Sequence, residues 1–256
     1  MNRLGTTGRW VFALGIAAIG AVSLLFGQYV SALQPLPEDL PGRAAIAFAG
    51  GASLLLCGAG LAFAKTARAA ALALAFLLLG ACLAIHLPIL LAGVRNGTSW
   101  VRLFEPLALA GAALIVAASL RATAVSARTI AIGRWLFAVS LPVFAATHFI
   151  YAEFVASLIP AWIPARLFWA YFTGAAHLFA GLAIMSNVLA RLAATLAGAM
   201  YGSWAVILHL PRVMADTGNQ GEITSLFMAV ALCGAAWVIA GSAGEREAAW
   251  PARSNA

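Results

Sequence analysis

Four histidines and eight acidic residues are nearly all that this chain offers for moving a proton. Three of the histidines, His148, His177 and His209, fall in its second half. A histidine titrates near neutrality and can accept or release a proton, or hydrogen-bond to an oxygen, at physiological pH. The richest stretch is Thr147-His148-Phe149-Ile150-Tyr151-Ala152-Glu153. On a helix, His148 and Tyr151 share a face, whereas Glu153 lies about 140° further round the axis. His177 lies eleven residues after Arg166, about 16 Å along a helix. His209 has Arg212 just beyond it. Tyr171, Tyr201 and Trp204 add aromatic surfaces on which a ring could pack. The candidate proton-handling residues are therefore His148, His177 and His209, with Tyr151, Glu153, Tyr171, Trp204 and Arg212 as candidate ligand-binding neighbours.

These polar groups are set in a very apolar chain. Residues of hydrophobic type make up 64% and charged residues only 9%, against about half and a quarter in a soluble domain. Apolar runs of roughly 20 residues recur, each long enough to cross ~30 Å of hydrocarbon as a helix. They fall at about 10–31, 44–64, 69–91 and 103–120, then 134–155, 166–187, 191–210 and 224–242. Backbone groups in lipid must be satisfied internally, and no run alternates with period two, so these are helices and not barrel strands. The fold class expected is all-α integral membrane, with eight transmembrane helices. Ionisable groups at membrane depth are costly, which makes the histidines functional candidates.

The chain also repeats itself. Gly8-Arg9-Trp10 returns as Gly133-Arg134-Trp135, and His86-Leu87-Pro88 as His209-Leu210-Pro211. Arg68 matches Arg191, Asn96 matches Asn219, and Gly111-Ala112-Ala113 matches Gly234-Ala235-Ala236. Colinear matches over a whole half indicate duplication. Residues 1–125 form one expected four-helix repeat and 126–256 the other. An even number of spans per copy makes the repeats parallel, related by an axis along the membrane normal. The copies differ where the chemistry lies. Ser23 stands for His148, Phe26 for Tyr151, Gln28 for Glu153, Leu54 for His177 and Ile89 for Arg212; of the histidines only His209 has a counterpart, His86. The second copy is expected to hold the site and the first to be mainly scaffold.

Orientation follows from the basic residues. Eight spans put both termini on one side with Arg3, Arg9, Lys65, Arg68, Arg121, Arg128, Arg134, Arg191, Arg246 and Arg253. Arg43, Arg95, Arg102, Arg166 and Arg212 fall on the other, with Glu38, Asp39, Glu105, Glu153, Asp216 and Glu222. Positive-inside bias therefore predicts cytoplasmic termini, and it accounts for the net charge of +7 with no nucleic-acid partner. No cleavable signal peptide is expected, because the segment after Trp10 is too long and recurs after Trp135. Cys57, Cys82 and Cys233 form no CxxC pair and read as small apolar filler.

Plainer roles compete for several residues. His86 and His209 precede Leu-Pro and could simply donate to free carbonyls at a helix end. Arg9, Arg134, Trp10, Trp135 and Trp162 suit interfacial anchoring. Glu105, at the start of the fourth span, could complement the helix dipole. Glu153 could be solvated, and His177 could make only an interhelical hydrogen bond.

His148 to Val155 reads His-Phe-x-Tyr-x-Glu-Phe-Val and is followed by Leu-Ile-Pro at Leu158 to Pro160. Phe168 to His177 then reads Phe-Trp-Ala-Tyr-Phe-Thr-Gly-Ala-Ala-His, and His209-Leu210-Pro211 closes the unit. Over roughly 134–242 this pattern resembles the DoxX/DoxD-like family of bacterial membrane proteins, of which this chain would be a tandem, eight-helix version. The resemblance implies a four-helix inner-membrane subunit, some relatives being associated with quinone-linked oxidation such as thiosulfate:quinone oxidoreductase or a terminal quinol oxidase. A quinone headgroup near the outer leaflet is then the expected ligand, with a soluble or membrane oxidoreductase as partner beside the lipid bilayer. Two alternatives stay open: a non-catalytic assembly subunit of a membrane complex, and a small-solute transporter, which parallel repeats and a polar interior would suit. Haem would need two histidines on facing spans at one depth, and His177 lies deeper than His148 or His209. No metal site is expected.

Overall fold

The computed structural model describes residues 2–28, 30, 33, 41–120 and 124–247. Glu38, Asp39, Arg121 and Arg253, used above to orient the chain, lie outside them, as does the tail beyond Glu247. The described residues are helical with no strand. Eight helices are long and apolar enough to cross a membrane: Arg3–Phe26, Arg43–Ala62, Ala67–Ala92, Gly97–Ser119, Val125–Ile150, Arg166–Ser186, Ala190–Ala215 and Gln220–Ala243, called here the first to eighth spans. A short helix, Ala152–Leu158, follows the fifth span after a bend at Tyr151. The fold defines a multi-pass helical membrane protein.

Side-chain caps set three of the starts, the first being that of the first span, where Asn2 Oδ1 accepts from the Gly5 N–H at 2.9 Å. Asn96 accepts a hydrogen bond from the Thr98 N–H at 3.0 Å, and Asn219 accepts one from the Glu222 N–H at 3.2 Å. Such caps satisfy amides that the first turn leaves free. The fourth span therefore begins at Gly97, six residues before the start expected from hydropathy near 103.

The third and seventh spans both run through their His-Leu-Pro sequences, the third to Ala92, as its apolar run to about 91 predicts, and the seventh to Ala215, five residues beyond the end expected near 210. Proline has no N–H to give and its ring collides with the carbonyl four residues back. Both helices absorb this with a π turn, Cys82–His86 and Ala205–His209, in which Leu87 N–H bonds Cys82 O and Leu210 N–H bonds Ala205 O. The wider turn leaves Pro88 and Pro211 in the first turn of the resumed helix, where a missing N–H costs little.

Each span packs on its neighbours in the chain, the first closes on the eighth, and the fourth and eighth touch. The fourth and eighth are also the most buried spans. Glycines carry several of the close crossings. A Cβ on Gly234 would strike the backbone of Phe12 and Gly8, where the eighth span meets the first. One on Gly111 would strike Gly133 O and Phe137 N, where the fourth meets the fifth. Small residues let helix backbones approach in lipid, where dispersion and not water exclusion drives association.

Trp10, Trp135 and Trp162 are exposed, as anchors require. Arg9 is buried instead, with its guanidinium 5.6 Å from the Trp10 ring centroid, and Arg134 bonds Asn187 Oδ1 at 2.5 Å.

Candidate functional site

His148 lies in the last turn of the fifth span, and its Nδ1–H donates to Phe144 O at 2.8 Å. His177, on the sixth span, donates its Nδ1–H to Thr173 O at 2.7 Å. A carbonyl can only accept, so Nδ1 carries the proton in both rings and the neutral imidazole presents a bare Nε2. Neither Nε2 has a hydrogen bond among the described residues. The rings lie 4.9 Å apart between centroids. That approach depends on Gly174, whose absent Cβ would stand 3.0 Å from the His148 Cβ. Gly181, lower on the same face, packs against Pro142 Cδ and Ala138 O.

Tyr201 extends the cluster from the seventh span, its ring 5.4 Å from that of His177. His177 and Tyr201 are only 5% and 7% exposed. The Tyr201 hydroxyl is buried and has no hydrogen-bond partner among the described residues. Phe144 closes the other side of His177 edge-on at 5.8 Å.

These side chains line a cavity of about 340 Å³, a size at the lower end of small-molecule pockets. His148, His177, His209 and Trp204 all contribute to its wall. Val155, Leu158 and Ile159, in and just after the short helix, line it too, and Thr224, Met228 and Leu232 of the eighth span complete it. His209 is half-buried, and its Nδ1 has no partner among the described residues. The π turn lies between Trp204 and Leu210, so it sets the rotation of Leu208 and His209 relative to Tyr201 and Trp204.

Four residues read as neighbours of the histidines do not line this cavity. Tyr151 is exposed, and its hydroxyl accepts from Gly97 N–H at 3.2 Å, tying the fifth span to the start of the fourth. Glu153 is exposed in the first turn of the short helix. Tyr171 is exposed and stacks on Phe149 at 6.2 Å. Arg212 forms a bidentate ion pair with Glu222, Nε to Oε2 at 2.9 Å and Nη2 to Oε1.

Glu105 was read as a helix-end residue, and the structure places it elsewhere. Because the fourth span starts at Gly97, Glu105 lies eight residues in, about 12 Å along the axis, and lines the cavity beside Val101. Its carboxyl has no hydrogen bond among the described residues. The cavity wall therefore includes residues of the first half. The signal was present in Asn96-Gly97-Thr98, a capping sequence upstream of the apolar run. Nothing local marks Tyr201 apart from Leu78, its apolar counterpart in the first half.

The matching positions in the first half are apolar or already hydrogen-bonded. Leu54 and Leu78, at the positions of His177 and Tyr201, are buried in the apolar core. Ser23, the counterpart of His148, donates to Gln28 O at 2.8 Å. His86 is 1% exposed, and its Nε2–H donates to Leu33 O at 2.9 Å. The same glycine contact recurs, since a Cβ on Gly51 would stand 2.9 Å from the Ser23 Cβ.

Among the described residues no three His, Cys, Asp or Glu side chains are grouped to hold a metal ion, and the three cysteines are free and buried. No family model matches the chain, and neither a curated protein nor a solved structure matches it.

Proposed function

We propose that this protein is a subunit of a quinone-linked oxidoreductase of the bacterial inner membrane, with both termini in the cytoplasm and a quinone-type headgroup held in the cavity between the fourth to eighth spans. The observation that carries the reading is the clustering of His148, His177 and Tyr201 in a largely apolar cavity, which Glu105 and His209 also line, large enough for one substituted ring. Trp204 offers an aromatic face, and the imidazoles and phenol offer both hydrogen-bond acceptors and a donor for ring oxygens. The resemblance of residues 134–242 to DoxX/DoxD-like subunits points the same way. His148 and His177 are too close for a porphyrin to lie between their rings, which favours a quinone over a haem ligated by that pair.

A second reading, a small-solute transporter, draws on Glu105 and Val101. They bring the first half into the cavity wall, and parallel-repeat transporters place their sites between halves. Lipid extracts of the purified protein, and titration with a short-chain quinone, separate the two. Quinone should co-purify and bind, and His148→Ala and His177→Ala should each weaken binding while the protein stays inserted. Ser23→Ala and Leu54→Ala should leave binding in place, although Leu54→Ala should cost about 2–5 kcal/mol of stability by opening a core void. Absence of quinone together with uptake of a polar solute into proteoliposomes would favour the transporter.

A further inference from the structure

We infer that the ligand group seated against His177 and Tyr201 is a hydroxyl, so that the cavity selects the reduced, hydroquinone form of a ring ligand over the oxidised quinone. The inference rests on the reading above and adds the redox form that the site takes.

The argument is one of donors and acceptors. His148 and His177 each donate Nδ1–H to a carbonyl one turn back on their own helix. In the neutral form, what remains to each is a lone pair at Nε2. Two such acceptors stand side by side, with ring centroids 4.9 Å apart. Next to them is a donor without a partner, the Tyr201 hydroxyl, in a side chain that is 7% exposed. The half-buried His209 ring, also in the wall, has no partner at Nδ1 among the described residues and when neutral offers one donor and one acceptor, which suits either redox form. Glu105 lines the same cavity and, when ionised, is a further acceptor.

A quinone oxygen can only accept. It would satisfy Tyr201 but would set its lone pairs against those of His177, leaving buried acceptors unmatched. A hydroxyl does both: it donates to an imidazole Nε2 and accepts from the Tyr201 O–H. The Trp204 indole and the Thr224 hydroxyl, also in the wall, can donate to an oxygen of either redox form and do not discriminate. The first half reinforces the contrast, because there Leu54 and Leu78 replace His177 and Tyr201, and the His86 Nε2–H already has Leu33 O.

Full-length protein in nanodiscs, titrated without oxygen, tests this with three probes: a short-chain hydroquinone, the matching quinone and the hydroquinone dimethyl ether. The hydroquinone should bind at least roughly tenfold more tightly than the other two, the scale of one unmatched buried hydrogen bond. Tyr201→Phe keeps the ring and should weaken hydroquinone binding by roughly tenfold. His177→Ala should erase the preference between hydroquinone and ether. Quinone binding as tightly as hydroquinone overturns the inference and leaves the proposed function standing. Binding of none of the three probes overturns both. Hydroquinone affinity unchanged in Tyr201→Phe overturns the placement of the hydroxyl.

Discussion

At the scale of single residues, charge alone did not mark the site. Arg212 carries a full charge beside His209, yet it is engaged by Glu222 and does not line the cavity. Side-chain exposures of 36% and 21% leave this pair partly open to screening. Glu222→Gln should therefore lower stability by only about 1 kcal/mol or less. A thermal melt of the purified variant checks this, and a loss several times larger would mean that the pair holds the seventh and eighth spans together. The residues that do meet in the cavity are mostly uncharged or half-buried, and their local hydrogen bonds fix which atoms are free. His148 and His177 are alike in this: each is held by a carbonyl of its own helix, so each ring presents the same nitrogen.

At the scale of helices, two devices shape the protein. One is the π turn before each Leu-Pro, which lets the third and seventh spans continue through a proline and turns His86 and His209 relative to the residues below them. The other is close approach at glycine. Gly111→Val and Gly234→Val should each destabilise strongly, because the added atoms meet backbone and not a movable side chain. Gly80→Val should be tolerated, since nothing lies within 4 Å of its missing Cβ. Thermal midpoints of the three variants in one detergent give the comparison. Equal loss in all three would show that helix propensity, and not the crossings, sets the effect.

At the scale of the molecule, the packing pattern is the same in both halves: first to second as fifth to sixth, third to fourth as seventh to eighth, and first to eighth as fifth to fourth. The cavity lies mostly among spans of the second half, with Val101 and Glu105 of the fourth span in its wall, while Leu54 and Leu78 take the places of His177 and Tyr201 in the first half. The basic residues predict which way the plan lies in the membrane. Reporter fusions after Arg128 should give a cytoplasmic signal and fusions after Asp216 a periplasmic one. The opposite pattern would reverse the orientation and put the His209 end of the cavity on the cytoplasmic side.

Eight helices were legible from hydropathy alone, because the length of an apolar run and the need to satisfy backbone groups in lipid leave few other solutions. The internal match between Gly8-Arg9-Trp10 and Gly133-Arg134-Trp135, and the excess of histidine in the second half, were legible as well. Helix starts were less so: the fourth span begins six residues before its apolar run, because Asn96 caps it. That shift is why Glu105 read as a terminal residue when it lies on the cavity. Tertiary packing alone decided which polar groups meet. Tyr201 lies against His177, and Tyr151 against Gly97, through contacts between separate helices. The Leu-Pro after each π turn marks its place but not the rotation it imposes, and a glycine crossing sets ring distances through an atom that is absent. Sequence periodicity records which residue types are present and which helix carries them; the depth and rotation of one helix against another come from the packing itself.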